Sequence, residues 1–353
     1  MTTTASSSAS VATTPSPDAA LRRPAAVRVG WLLAGAGVLA VALGASLAFG
    51  NRLVPVDELV AALGGQDATI GEAAVHARVP RTVLGALVGA ALGIAGASMQ
   101  GVTRNPLADP GILGVSNGAA LAVVTGIVVL GISDPYAYIG FALAGATAAA
   151  VLVYLIGSLG RGGATPLKLA LAGAATSAAF ASLISALLLP RVDAMQVFRF
   201  WQVGGVGGAD WSRIGVVAPF LAVGVIVSLV TARGLNLLAL GDDLAAGLGA
   251  HVLRTRLIAA AGAVLLCAAA TAIAGPIGFV GLVVPHLCRL LVGSDHRWLV
   301  PYSAVGGAVL LVAADVVGRV VIPSQEVEVG IVTAIVGAPV FIAIVRRQKV
   351  RAL

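Results

Sequence analysis

LNLLALGDDLAAGLGAHVLRTR, Leu235 to Arg256, interrupts a chain that is otherwise dominated by long apolar runs. Leu237, Leu240, Leu244 and Leu248 recur at steps of three and four, which places them on one face of a helix. Asp242 follows Gly241 and can cap such a helix, and Gly249 can end it. A hydrocarbon core rejects Asp242, Asp243, Arg254 and Arg256, so the stretch lies outside any bilayer. A short amphipathic helix in that position needs a cover for its leucines. Two covers are open: the chain's own helices, or a soluble partner that docks there.

Working outward, composition decides the class. Of 353 residues, 59% are hydrophobic and 10% are charged, and the mean hydropathy is +1.01, whereas soluble domains carry about 25% charged residues. The chain is a polytopic membrane protein. Ten apolar runs are expected to span: Val29–Phe49, Val83–Met99, Val115–Ile132, Ala137–Leu159, Leu169–Leu189, Val216–Thr231, Leu257–Ile273, Ile277–Val292, Val300–Val317 and Val329–Val345. The first is longer than the ~7–15-residue core of a signal peptide and reads as a retained span. Residues 1–26, rich in Ser, Thr, Ala and Pro, read as a disordered tail ahead of the membrane domain at 27–353.

Ten spans place both termini on one side. If that side is cytoplasmic, the outer segments hold seven basic residues: Arg52, Arg78, Arg81, Arg191, Arg199, Arg213 and Arg319. The other fifteen of the 22 lysines and arginines lie inside, and this bias sets the orientation. It also makes the leucine stretch cytoplasmic. The net charge of +7 is thus a matter of topology, and no basic cluster interleaved with aromatics points to nucleic acid. A second break, residues 190–215, reads as a short interfacial helix and turn at the outer surface, with Trp201 and Trp211 as anchors. Arg81-Thr82 opens one apolar segment and Arg254-Thr255 opens another from the opposite side, the pattern of an inverted repeat.

Catalytic chemistry finds no footing. No phosphate-binding GxxxxGK[ST] is present, and the chain has only two lysines, Lys168 and Lys349, so it cannot hydrolyse ATP by that route. His76, His251, His286 and His296 have no partner at metal-ligand spacing, and His286 reads as a packing residue. Cys267 and Cys288 sit in apolar runs and outline no disulfide framework. No catalytic residue, metal site or cofactor is expected. Gln100–Gly118, punctuated by two prolines and four glycines, is either an ordinary turn or irregular backbone lining a water-filled path.

Three segments together are distinctive: MQGVTRNPLADPGILGVSNGAA at 99–120, LNLLALGDDLAAGLG at 235–249 and GPIGFVGLVVPHLCRLLVGSDHR at 275–297. They resemble the FecCD permease family, the membrane subunits of ATP-binding-cassette importers for ferric siderophores, haem and cobalamin. The resemblance implies an all-α, type II importer fold of ten spanning helices. It implies a second permease, identical or paralogous, two ATPase subunits, an extracytoplasmic siderophore-binding protein and surrounding lipid as partners. It assigns Leu237, Leu240, Asp242, Asp243, Leu244, Leu248 and Gly249 to the surface that meets the ATPase. Arg78, Arg81 and Arg319 match arginines that pair with glutamates of the binding protein. Asn105 and Leu107 match a cytoplasmic gate, and Thr165, Pro166 and Leu167 fall where a second gate segment lies. The chain departs from the family at EVEVG, Glu326–Gly330, where Glu328 replaces a proline and is expected to sit near Arg319. TRNPLADPGILG and FRFWQVGG are more similar to siderophore members than to cobalamin members. A rival class, an ion-coupled secondary transporter, rests on Asp315 and Arg319, four apart at the end of an apolar run.

Overall fold

The computed structural model describes residues 24–159, 165–322 and 325–351, and these form thirteen α-helices and no strand. The helices are α1 (Ala25–Ala48), α2 (Val56–Leu63), α3 (Ile70–Thr103), α4 (Val115–Val129), α5 (Pro135–Ser158), α6 (Pro166–Leu188) and α7 (Val192–Val203). Then follow α8 (Trp211–Leu238), α9 (Asp242–Gly247), α10 (Val252–Ala274), α11 (Val280–Val292), α12 (His296–Val320) and α13 (Val329–Arg351). The ten expected runs coincide with α1, α3, α4, α5, α6, α8 and α10–α13. Seven helices are long and apolar enough to span; α4, α11 and the apolar part of α13 are shorter. Helix is the economical answer for a chain in lipid, because it satisfies its own backbone hydrogen bonds.

Three boundaries depart from the sequence reading. The expected tail reaches Ala25, where α1 already begins, and residues 1–23 lie outside the described part. The helix expected from Val83 starts at Ile70. A capping box starts it: the Thr69 hydroxyl accepts from the Glu72 N–H, and the Glu72 carboxylate accepts from the Thr69 N–H. Pro80 falls inside α3 rather than before it. The segment before α3 also contains α2, whose apolar positions are too few to announce a span.

α3 is the central post, and it packs along α12 more extensively than any other pair of helices. Glycine makes the approach possible. A methyl group at Gly89 would overlap the Gly307 carbonyl, one at Gly93 the Ser303 carbonyl, and one at Gly96 the Gly281 carbonyl of α11. Gly118 of α4 and Gly145 of α5 interlock the same way. Without a hydrophobic drive between helices in lipid, such close backbone approach supplies the packing energy.

The two helices that carry Arg-Thr, inside α3 at 81–82 and in the first turn of α10 at 254–255, run in opposite directions and are the two most buried spans. α3 gives way to residues 104–114 and the short α4; α10 gives way to residues 275–279 and the short α11. The helices bring 46–82, 190–215, 275–279, 315–322 and 325–330 to one end of the bundle. They bring 24–28, 100–115, 233–256 and 289–298 to the other. Trp211 is exposed, as an interfacial anchor is; Trp201 instead stacks on Phe198 at 5.9 Å and packs against the core.

Substituting Gly93 or Gly96 with Ala should lower the thermal midpoint of the detergent-purified protein, with overpacking costing about 1–3 kcal/mol. Gly37→Ala on α1, where a methyl group meets nothing, is the control and should leave the midpoint unchanged.

Candidate functional site

At the end that carries α9, the chain turns sharply after α3. Arg104 adopts a left-handed conformation at φ 50°, and its N–H and that of Asn105 both return to the Gln100 carbonyl. The Asn105 side chain accepts from the Leu107 N–H at 3.0 Å, and Asp109 caps a 3-10 turn, Pro110–Leu113, through the Gly111 N–H at 2.8 Å. Asx geometry of this kind replaces helical bonds with local side-chain ones, so the backbone stays satisfied while irregular. Gly173 of α6 packs directly on the Ile112 carbonyl and holds the turn in place.

Asn105 and Asp109 face a cavity of about 270 Å³, with Tyr154 of α5, Leu169 and Ala170 of α6, and Arg256 of α10 on its other walls. Burial pushes the Asp109 carboxyl above the usual carboxylate range. The two sequence-assigned gate segments therefore share one neighbourhood. Thr165 caps α6 by accepting from the Lys168 N–H, and Leu167 is exposed. Leu107, Thr165 and Leu167 do not line the cavity; Leu169 and Ala170, one turn further on, do, and the Pro166 side chain lies outside the described part.

The leucine stretch is not one helix. α8 continues to Leu238, Gly241 turns the chain at φ 110°, and α9 is only six residues long. Leu237 belongs to α8 and is half-buried, so the expected four-leucine face divides. Leu240, Leu244 and Leu248 remain 54%, 63% and 63% exposed. Ala245 anchors α9 in a small cluster with Leu235, Leu238, Val102 and Ala259. Gly249, at φ 84°, follows the helix end as expected. Asp242 caps nothing. It accepts from Arg104 of the turn after α3 and from Arg256 at 3.1 Å, while Asp243 is exposed. That turn and α9 are thus joined by one carboxylate between two guanidinium groups.

The opposite end is closed by charge. Asp315 and Arg319 are 2% and 3% exposed and pair at 3.1 Å. Arg81 joins Asp315 at 2.8 Å and Glu326 at 2.6 Å. Arg319 also donates to the Ser46 carbonyl at 3.0 Å, the Ser46 hydroxyl at 2.7 Å and the Phe49 carbonyl at 3.1 Å. Arg78 donates to the carbonyls of Leu47, Ala48 and Arg52. All three arginines assigned to docking have partners within the chain, and Arg319 is enclosed. The predicted Asp315–Arg319 pair forms, bracketed by Arg81 and the α1 terminus. Glu328 lies against Gly205, with Arg81 rather than Arg319 as the cation it senses, and burial raises its carboxyl. Sequence spacing announced the Asp315–Arg319 pair; nothing local announced that Ser46 and Glu326 complete the cluster.

Comparison with known proteins places these features in a lineage. The FecCD transport family matches residues 25–347. The ferric enterobactin transport system permease protein FepD of Escherichia coli (strain K12) is 42% identical over 315 residues, covering 88% of this chain and 93% of that protein. The cobalamin import system permease protein BtuC of Halobacterium salinarum is 43% identical over 282 residues, covering 78% and 74%. Among solved structures, a metal-chelate type ABC transporter in an inward-facing conformation superposes with a TM-score of 0.79 at 28% identity, over 90% of this chain and 99% of that one.

Removing one member of an enclosed ion pair leaves the other unpaired, at a cost of about 3–5 kcal/mol. Asp315→Asn and Arg319→Gln should each lower the thermal midpoint strongly. Arg297→Gln, an exposed pair partner, should have little effect. Equal midpoints for all three would remove the structural role given to the cluster.

Proposed function

The chain belongs to the FecCD transport family, and from that premise we propose that it is the permease subunit of an ATP-driven importer that carries ferric siderophores across the cytoplasmic membrane. One observation carries the substrate class: 42% identity to a ferric enterobactin permease over nearly the whole of both chains. The permease works beside a second permease, identical or paralogous, and the cargo passes between them. A path of this kind needs weak, distributed contacts, and a wall of small apolar residues supplies them.

The end that carries α9 faces the cytoplasm, as the bias of lysine and arginine supports. Both termini lie on that side. The ATPase covers Leu240, Leu244 and Leu248, for which the described residues offer no cover. Each leucine so buried contributes roughly 1.5–3 kcal/mol. Movement of α9 reaches Asn105 and Leu107 through Asp242 and Arg104, and the start of α6 at Thr165, Pro166 and Leu167 forms the facing wall of the gate. The binding protein docks at the opposite end, near Arg78, Arg81 and Arg319. A glutamate arriving there competes with Asp315, Glu326 and the α1 carbonyls for arginine donors, so docking loosens the closed cluster. Glu328 adds a further negative charge beside Arg81 and weakens that attraction.

Cells lacking the permease should lose uptake of radiolabelled iron presented as a ferric siderophore and keep uptake of haem and cobalamin. Loss of haem or cobalamin uptake alone would reassign the cargo. Uptake should also stop when the partner ATPase loses its phosphate-loop lysine; persistence driven by a proton gradient would favour an ion-coupled carrier.

Leu240→Asp with Leu244→Asp should insert normally, because α9 spans nothing. It should fail to retain the ATPase on co-purification, and uptake should disappear. Asp243→Asn should have the smaller effect. A double variant that keeps its ATPase and transports normally would reduce α9 to a linker.

A further inference from the structure

Three carboxylates converge on Arg81 where the chain passes from α12 to α13. Arg81 reaches Asp315 at 2.8 Å and Glu326 at 2.6 Å. The third carboxylate, Glu328, is half-buried, and among the described residues no donor hydrogen-bonds to its side chain. Its oxygens lie against Gly205, where a methyl group would overlap them. The backbone is pinned on both sides: the Val327 N–H donates to the Gly318 carbonyl at 2.9 Å, and the Gly330 N–H donates to the Gly204 carbonyl at 3.0 Å. Glu328 therefore keeps its place beside the cluster without a bond of its own.

Little else among the described residues balances its charge. The turn packed against it, 204–208, and the turn behind that one, 274–277, contain no titratable residue. Asp210 and Arg213 pair with each other at 2.9 Å. Arg78 is occupied by the carbonyls of Leu47, Ala48 and Arg52, and Arg319 by Asp315, Ser46 and Phe49. What faces Glu328 is one cation, Arg81, already engaged twice, and two like charges, Glu326 and Asp315. Burial first, and then the two neighbouring carboxylates, raise its carboxyl above the usual range against the pull of Arg81. Of the three carboxylates it alone has no donor, so it is the one placed to take a proton.

We propose that Glu328 controls docking of the binding protein through its proton: ionised, it repels the carboxylate that approaches Arg81; protonated, it admits that carboxylate. This control rests on the docking proposed above for this end and sets the pH at which that docking is tight. A glutamate arriving at the cluster adds a further carboxylate to those already competing for Arg81 and Arg319, and the charge on Glu328 opposes it directly. Glu328 is partly exposed, so a proton from the outer solution reaches it and removes that charge while the bonds of Arg81 stay in place. The proline that Glu328 replaces has no charge to lose, so the pH dependence is a property of this chain.

The permease in nanodiscs tests the titration by itself. At neutral pH, Glu328→Gln should have the higher thermal midpoint, because the ionised side chain is penalised in the fold and not in the unfolded chain. Wild type takes up the proton as pH falls, so the gap should close by about pH 5. The assembled importer in nanodiscs, presented to the immobilised siderophore-binding protein of the same importer, tests the control. Wild type should bind roughly two- to fivefold more tightly at about pH 5 than at neutral pH, the range of an exposed charge pair. Glu328→Gln should bind at neutral pH as wild type does in acid. Asp193→Asn, at an exposed carboxylate of α7, should keep the wild-type response. A midpoint gap that ignores pH, or docking equally pH-sensitive in wild type and Glu328→Gln, would overturn the inference while the importer reading stands. A wild type that captures the binding protein at neither pH removes that reading and this control with it.

Discussion

Lipid offers no hydrogen-bond partner, and the architecture answers that single constraint. Ten apolar helices satisfy their own backbones. Where the chain leaves the helix at 104–114, Asn105 and Asp109 furnish local bonds to the backbone. Side chains that would be costly in hydrocarbon are either paired, as Asp315 and Arg319 are, or carried to the ends of the bundle. Glycines at 89, 93, 96 and 307 then bring the helices close enough for dispersion to hold them together.

The same constraint gives the two ends opposite characters. At one, arginines are drawn inward and neutralised by Asp315, Glu326 and the carbonyls that end α1, so the surface is closed by its own charges. At the other, three leucines of the α9 region stand exposed, and Arg289 meets no acid among the described residues. Asp242 ties α9 to the turn after α3 through Arg104.

Much of this was legible in one dimension. Long apolar runs located ten apolar helices, seven of them long enough to span, because length and hydrophobicity are properties of consecutive residues. The Asp315–Arg319 spacing announced a pair, since residues four apart share a helical face. The apolar run missed the start of α3, because the capping box at Thr69 and Glu72 begins the helix in a polar stretch ahead of the run. The leucine period misled across Gly241, where a positive φ breaks the helix that the spacing predicts. Spacing counts residues, and a single turn between two short helices changes which face each one presents.

By itself, the sequence determined the class, a multi-pass membrane protein, and the places of its apolar helices, both of which follow from composition along the chain. It also carried the motifs that mark the family. Only the tertiary structure decided which charges are spent and which remain. Arg81 meets Glu326 from 245 positions away, Arg319 meets Ser46 from 273 away, and Arg289 meets Gln100 but no acid among the described residues. A charge's partner depends on which helix ends the bundle gathers together, and that is set by the close packing of α3 against α12 and α11 rather than by any local pattern.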